Sequence, residues 1–166
     1  MTKLNIVIYP NPLLRQRALE IEQIDQEIFK LAEDMLETMY AAPGVGLAGP
    51  QVGILKRIFV ADPSNEKNNP MIFINPVVEF SKDKITGEEG CLSIPGYYEK
   101  VSRSATVFVR AKDINGKQFE LTADGLLSTI IQHELDHLNG VLFPDHLSIL
   151  KRSLFHRWAR KNLGAK

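Results

Sequence analysis

The chain carries His133-Glu134-Leu135-Asp136-His137, a run of the form H-E-x-x-H. On an α-helix, residues four apart stand one above the other on the same face. Two imidazoles so placed can bind one metal ion, and the glutamate after the first reaches a water on that ion. The surroundings suit a helix. No proline occurs from Asp124 to Leu138, and Leu126, Ile130, His133 and His137 recur at steps of four, three and four. Leu127, Ile131, Leu135 and Leu138 make the segment apolar almost all round, which predicts a buried helix, and Gly140 supplies a stop. Buried histidines and a carboxylate are costly unless something satisfies them, and a metal ion does so. The plainer alternative is a pair of hydrogen-bonded core histidines.

An open catalytic site of the zinc type needs a third protein ligand and keeps a fourth position for water. One protease pattern, H-E-x-x-H-x-x-G-x-x-H, continues to a third histidine. Gly140 fits its glycine, but Phe143 stands where that histidine would be. No glutamate follows Glu134, and Asp145, His146 and His156 fall at no recognisable spacing. The missing ligand is therefore expected upstream, where Cys91 is the single cysteine. A thiolate there would complete a Cys-His-His-water set. Cys91 could also be a nucleophile activated by a histidine, or a small buried hydrophobe.

These residues need elements to position them. Asp25 reads as an N-cap, followed by an amphipathic helix over Gln26–Tyr40 with a core stripe of Ile28, Leu31, Met35 and Met39. The helix runs into Ala41–Gly53, thirteen residues with four glycines, two prolines and three alanines. Such small residues let a backbone pass close to a ligand or to another segment. A phosphate-binding loop is disfavoured, because the terminal Lys-Ser/Thr of that motif is missing. Gln51 is either a hydrogen-bonding group for a ligand or a surface amide. Ile6–Tyr9 reads as extended and Pro10-Asn11-Pro12 as a turn, with strands at Arg57–Ala61, Met71–Asn75, Val77–Phe80, Ala105–Ala111 and Lys117–Leu121. The expected fold is α+β, one catalytic domain over 1–166. Mostly antiparallel sheets would pack around the buried central H-E-x-x-H helix, with an N-terminal and a C-terminal helix.

Composition narrows the classes. The chain has 166 residues with 44% hydrophobic and 24% charged, a soluble globular balance that disfavours a disordered or membrane-embedded chain. No run approaches the roughly 18 apolar residues of a membrane span, and the first residues do not read as a signal peptide. One cysteine excludes an internal disulfide and fits a reducing compartment, so a cytoplasmic location is expected. Net charge is zero, yet six of the twenty Lys and Arg lie between Lys151 and Lys166, where no acid occurs. Leu147, Leu150, Leu154 and Trp158 predict a docked apolar face on this C-terminal helix, with Lys151, Arg152, Arg157, Arg160 and Lys161 off it. That basic face is either simply solvated or meets nucleic acid.

Three stretches taken together resemble the peptide deformylase family, in its bacterial type. Its motifs G-x-G-L-A-A-x-Q, E-G-C-L-S and H-E-x-D-H are matched in order by Gly44–Gln51, Glu89–Ser93 and His133–His137. One departure is visible: Gly49 stands where the motif usually has alanine, an exchange expected only to loosen the loop slightly.

The resemblance implies a hydrolase that removes the N-formyl group from the formylmethionine of new polypeptides and releases formate. By the same token Cys91, His133 and His137 match the metal ligands, and Glu134 the general base and acid. Gln51 and the backbone N–H of Leu92 match the oxyanion donors, and Gly46 a main-chain group lining the groove. Val45 and Ile130 are candidates for the apolar methionine pocket. Ligand chemistry alone favours Zn²⁺. The resemblance points to Fe²⁺ as the native ion, with Zn²⁺, Ni²⁺ or Co²⁺ able to replace it. It also implies a transient ribosome contact through the basic helix, with neither membrane nor DNA as a partner. Two other classes compete: a zincin-type metallopeptidase, and a non-catalytic ribosome-binding module of the same fold.

Overall fold

The computed structural model describes residues 2–164; Met1, Ala165 and Lys166, the last counted in the basic tail, lie outside the described residues. Helix α1 spans Gln26–Ala41, and Asp25 caps it by accepting from the N–H of Ile28. Strands β1 (Gly46–Ala48), β2 (Ile58–Ala61), β3 (Met71–Phe80), β4 (Lys84–Cys91), β5 (Ile94–Ser104), β6 (Thr106–Lys112) and β7 (Gln118–Asp124) follow. Helix α2 spans Gly125–Leu138 and helix α3 Ile149–Asn162. Five strands pair antiparallel in the order β1-β2-β3-β6-β7, and β4 with β5 forms a separate antiparallel hairpin.

Strand β2 explains the layering. Side chains alternate across a strand, so Ile58 and Val60 pack with Met35 and Met39 of α1, while Phe59 and Ala61 pack with Ile130 and Ile131 of α2. All four β2 residues are therefore buried. A third cluster joins Ile94 and Val101 of the hairpin to Phe143 and to Phe155 of α3. Helix α2 packs against β1 and β2 of the five-stranded sheet and against β5 of the hairpin, and the expected α+β class holds.

Several details differ from the sequence reading. Met71–Asn75 and Val77–Phe80 are one strand with a register shift between Ile74 and Val77. Asn75 takes a positive φ of 50° there, held by its side chain bonding both N–H and C=O of Ile21. The hairpin over 84–104 was not anticipated, because the outer residues of β4 are exposed and polar and show no apolar alternation. Ile6–Tyr9 joins no sheet, yet Val7 N–H donates to Gln51 O and Tyr9 N–H to Ser93 O. The expected apolar face of α3 is corrected in part: Leu147 is buried and Trp158 packs against Tyr97 and Phe155, but the middle of the stripe is not docked. Leu150 and Leu154 are 69% and 50% exposed, whereas Phe155 and Ala159 are the buried residues of that helix. Gly49 is not merely looser than alanine, since a Cβ there would stand 2.7 Å from both Ile54 O and Lys56 O. Glycine lets that turn close more tightly.

Candidate metal centre and substrate cavity

Both ends of α2 are anchored. Near its start, Ser128 Oγ donates to Ser104 O at 2.9 Å, and Gln132 bonds both N–H and C=O of Ser104. At its end, the buried guanidinium of Arg57 donates to Leu138 O at 2.9 Å and to Asn139 Oδ1 at 3.0 Å. A cation at that end also suits the helix dipole. Cys91 arrives from the other direction, on the last residue of β4 before the hairpin turns into β5.

The metal-binding atoms of Cys91, His133 and His137 all lie within 4.8 Å of one another. His137 Nε2 is 3.2 Å from His133 Nε2 and 3.4 Å from Cys91 Sγ. Around a tetrahedral ion with metal–N bonds near 2.0–2.1 Å and a metal–S bond near 2.3 Å, such separations come to about 3.3–3.6 Å. The donor set and its spacing fit one divalent ion.

The His133 ring is held from behind. Its Nδ1 lies 3.0 Å from Glu89 Oε1, a ligand-orienting carboxylate. Arg103 grips Glu89 through Nε and Nη2 at 2.9 and 2.8 Å, and its Nη1 reaches Asp136 Oδ2 at 2.7 Å. Burial works against the Glu89 charge, but the bonds from Arg103 and His133 outweigh it and bring its pKa down to about 2. For His133, burial opposes protonation, while its bonds to Cys91 and Glu89 carry the pKa upward. His137 has no such support, and burial lowers its pKa. An ion binds both imidazoles in their neutral form.

Glu134 lies beside the ligands. Burial, only partly offset by His133 and Arg103, raises its carboxyl to about 7. Its Oε2 has no hydrogen-bond partner among the described residues, as suits a group whose partner is a reacting water. A Cβ on Gly46 would stand 2.5 Å from Glu134 Oε1, so this glycine gives the carboxylate its room. Gln51 is fixed by Ala48 N–H donating to its Oε1, which aims Nε2 at Ser93 Oγ (3.2 Å) and Cys91 Sγ (3.5 Å).

A cavity of about 530 Å³ opens over these groups. Gly46, Gln51, Cys91, Leu92, His133 and Glu134 form its polar end, and Val45, Leu126 and Ile130 stand among its apolar walls. Leu126 is 54% exposed at the cavity, away from the core position its helical spacing predicted. His137 lies below, buried. The structure thus brings together Val45, Gly46, Gln51, Cys91, Leu92, Ile130, His133, Glu134 and His137, while Asp145, His146 and His156, weighed as downstream ligands, stand outside the cluster. Sequence reasoning missed the roles of Glu89, Arg103 and Asp136. Their only signal was that buried acids next to a helix of ligands need a cation, and nothing marked Arg103 as its source.

Comparisons with known proteins identify the family and the fold. The family model described as polypeptide deformylase matches residues 3–153. A peptide deformylase of Agrobacterium fabrum is 50% identical over 169 residues, covering 100% of this chain and 99% of that protein. The crystal structure of a peptide deformylase from Legionella pneumophila superposes with a TM-score of 0.91 at 43% identity, covering 96% of this chain and 95% of that one. A peptide deformylase from Ehrlichia chaffeensis, solved in complex with actinonin, gives 0.91 at 40% identity, covering 97% and 98%. On the family model and these identities, the chain belongs to the polypeptide deformylase family.

Proposed function

We propose that this chain hydrolyses the formyl group from the amino-terminal formylmethionine of new polypeptides, releasing formate and a free amine. The observation that carries this reading is the convergence of Cys91 Sγ and the two histidine Nε2 atoms beside buried Glu134, in a member of this family. A divalent ion bound by Cys91, His133 and His137 supplies the Lewis acidity that makes water an effective nucleophile near neutral pH.

The chain's own groups do the rest. Glu134 takes a proton from the attacking water and hands it to the departing amide nitrogen. Gln51 Nε2 and the N–H of Leu92 stabilise the charge that gathers on the formyl oxygen, where losing one donor costs about 10²–10³ in rate. The glycine-rich wall at Gly46 leaves a formyl hydrogen its space and excludes a larger acyl group. Val45 and Ile130 offer an apolar pocket for the methionine side chain. Formate release from a short formyl-Met peptide, run beside cleavage of the same peptide without its formyl group, tests the reading. Formate without internal cleavage is expected. Internal cleavage without formate would restore the metallopeptidase alternative, and neither activity in the metal-loaded protein the non-catalytic one.

The native ion in this reading is Fe²⁺. A ferrous ion beside a thiolate is open to oxidation at both metal and sulfur. Iron-loaded protein should lose activity in aerated buffer and keep it after Ni²⁺ exchange; equal lifetimes with and without oxygen would point to zinc. The whole of 1–166 acts as one catalytic domain in the cytoplasm. No helix among the described residues is long and apolar enough to cross a membrane. A ribosome contact through α3 is supported by its outward face, where exposed Leu150 and Leu154 stand with exposed Arg157 and Lys161. That combination suits a phosphate-rich surface with apolar contacts.

A further inference from the structure

The Glu89–Arg103–Asp136 chain does not end at Asp136. His146 Nε2 lies 2.7 Å from Asp136 Oδ2, the same oxygen that Arg103 Nη1 reaches at 2.7 Å. An ionised carboxylate only accepts, so His146 donates through an Nε2–H. The 3.3 Å between Arg103 Nη1 and His146 Nε2 is then a contact of two donors sharing one acceptor. The His146 side chain is 38% exposed, against 4% for Arg103 and 20% for Asp136. It is the solvent-facing end of a line that runs inward to a metal ligand.

The turn that carries His146 is pinned independently. Phe143–His146 forms a 3-10 turn with Phe143 and Pro144 buried. Asp145 accepts from Leu142 N–H at 3.0 Å and from Arg15 Nη1 at 2.6 Å. His146 is therefore delivered to Asp136 from a fixed platform, ten residues further along the chain. The Asp136 carboxylate has no hydrogen-bonding partner among the described residues beyond Arg103 and His146. Without His146 nothing outside the buried guanidinium holds its rotamer.

We infer that His146 is a positioning residue for the metal centre. Its bond fixes the Asp136 carboxylate, which fixes Arg103, which fixes Glu89 against Nδ1 of His133. The inference rests on the metal-site reading above. Partners directly behind a ligand change metal affinity about 10–100-fold. His146 acts three residues further back than Glu89, so a smaller effect of about threefold to tenfold follows from the same principle.

The test uses the full chain with Zn²⁺ as the probe, titrated against a chelator of known affinity. His146→Leu should bind Zn²⁺ threefold to tenfold more weakly. His146→Gln, whose Nε2 reaches the same point, should restore parental affinity within twofold. In the zinc-loaded protein, the Nδ1–H proton of His133 should exchange with solvent faster in the leucine variant and at the parental rate in the glutamine variant. KM for a short formyl peptide should stay unchanged in both. If His146→Leu does not fold, His146→Asn, one bond too short to reach Asp136, replaces it. Parental affinity in the leucine or asparagine variant, or a glutamine variant no better than leucine, overturns the inference. A parent protein that fails to bind Zn²⁺ at all would instead refute the metal-site reading.

Discussion

Helices α2 and α3 have 14 residues each and opposite relations to their polarity. Helix α2 buries Ser128, Gln132, His133, Glu134 and His137, whereas α3 buries Phe155 and Ala159 and exposes Ile149, Leu150 and Leu154. The inward polar groups of α2 are almost all bonded, to Ser104 and Glu89 in particular, and the two atoms left over are Glu134 Oε2 and His137 Nδ1. The outward leucines of α3 have no such account within the chain. A polar residue turned inward and an apolar residue turned outward both depart from the default pattern; on α2 the departure gathers at the candidate metal centre, and on α3 it lies on the face proposed for ribosome contact.

The contrast can be broken most severely on α2. Glu134→Gln should keep the metal and the fold and lower kcat by about 10²–10⁴ or more, as removal of a positioned acid–base group does. Metal analysis beside formate release checks this, and metal loss would mean that Glu134 is itself a ligand. Gly46→Ala comes next. Its Cβ would fall 2.5 Å from Glu134 Oε1, and a displacement of about 1 Å at a catalytic group costs on the order of 10² in rate. A fully active alanine variant would show that the carboxylate has room to spare.

On α3 the effects belong to stability and association. Phe155→Ala should cost about 3–5 kcal/mol as a buried aromatic, while Leu154→Ala, one residue earlier and half exposed, should stay within about 0.5 kcal/mol. Denaturant unfolding of the two variants reads out which face is docked, and equal losses would erase the distinction. The smallest effect is expected from changing Arg157, Arg160 and Lys161 together to glutamine. The variant should keep its kcat/KM on a short formyl peptide and bind ribosomes with a shallower salt dependence, by roughly 0.7–0.9 in log–log slope for each lost phosphate contact. An unchanged slope would leave the outward face solvated.

What could be read in advance follows the same division. On α2 the ligands are four apart on one helix, and local periodicity is enough to find them. On α3 the leucines drew the eye to a stripe through Leu150 and Leu154, but Phe155 and Ala159 sit about 100° round the helix and take the core. Weakly amphipathic helices do not say which face is inward. The hairpin over 84–104 was missed because its outer half is solvated and lacks the alternation of a packed strand. Arg103 was invisible for a different reason: its acids lie 14 and 33 residues away, and only the folded chain brings them together.

One feature of the site bears on the molecule as a material. Cys91 stands on the hairpin and His133 and His137 on α2, so an ion gripping all three ties two separate pieces of architecture together. It closes a loop of roughly 40 residues, and a covalent bridge over such a loop would contribute about 4 kcal/mol by the chain-entropy relation. With a single cysteine the chain can form no disulfide of its own. An ion held there would be a rivet as well as a Lewis acid, and a reducing environment that would open a disulfide would leave this fastening intact.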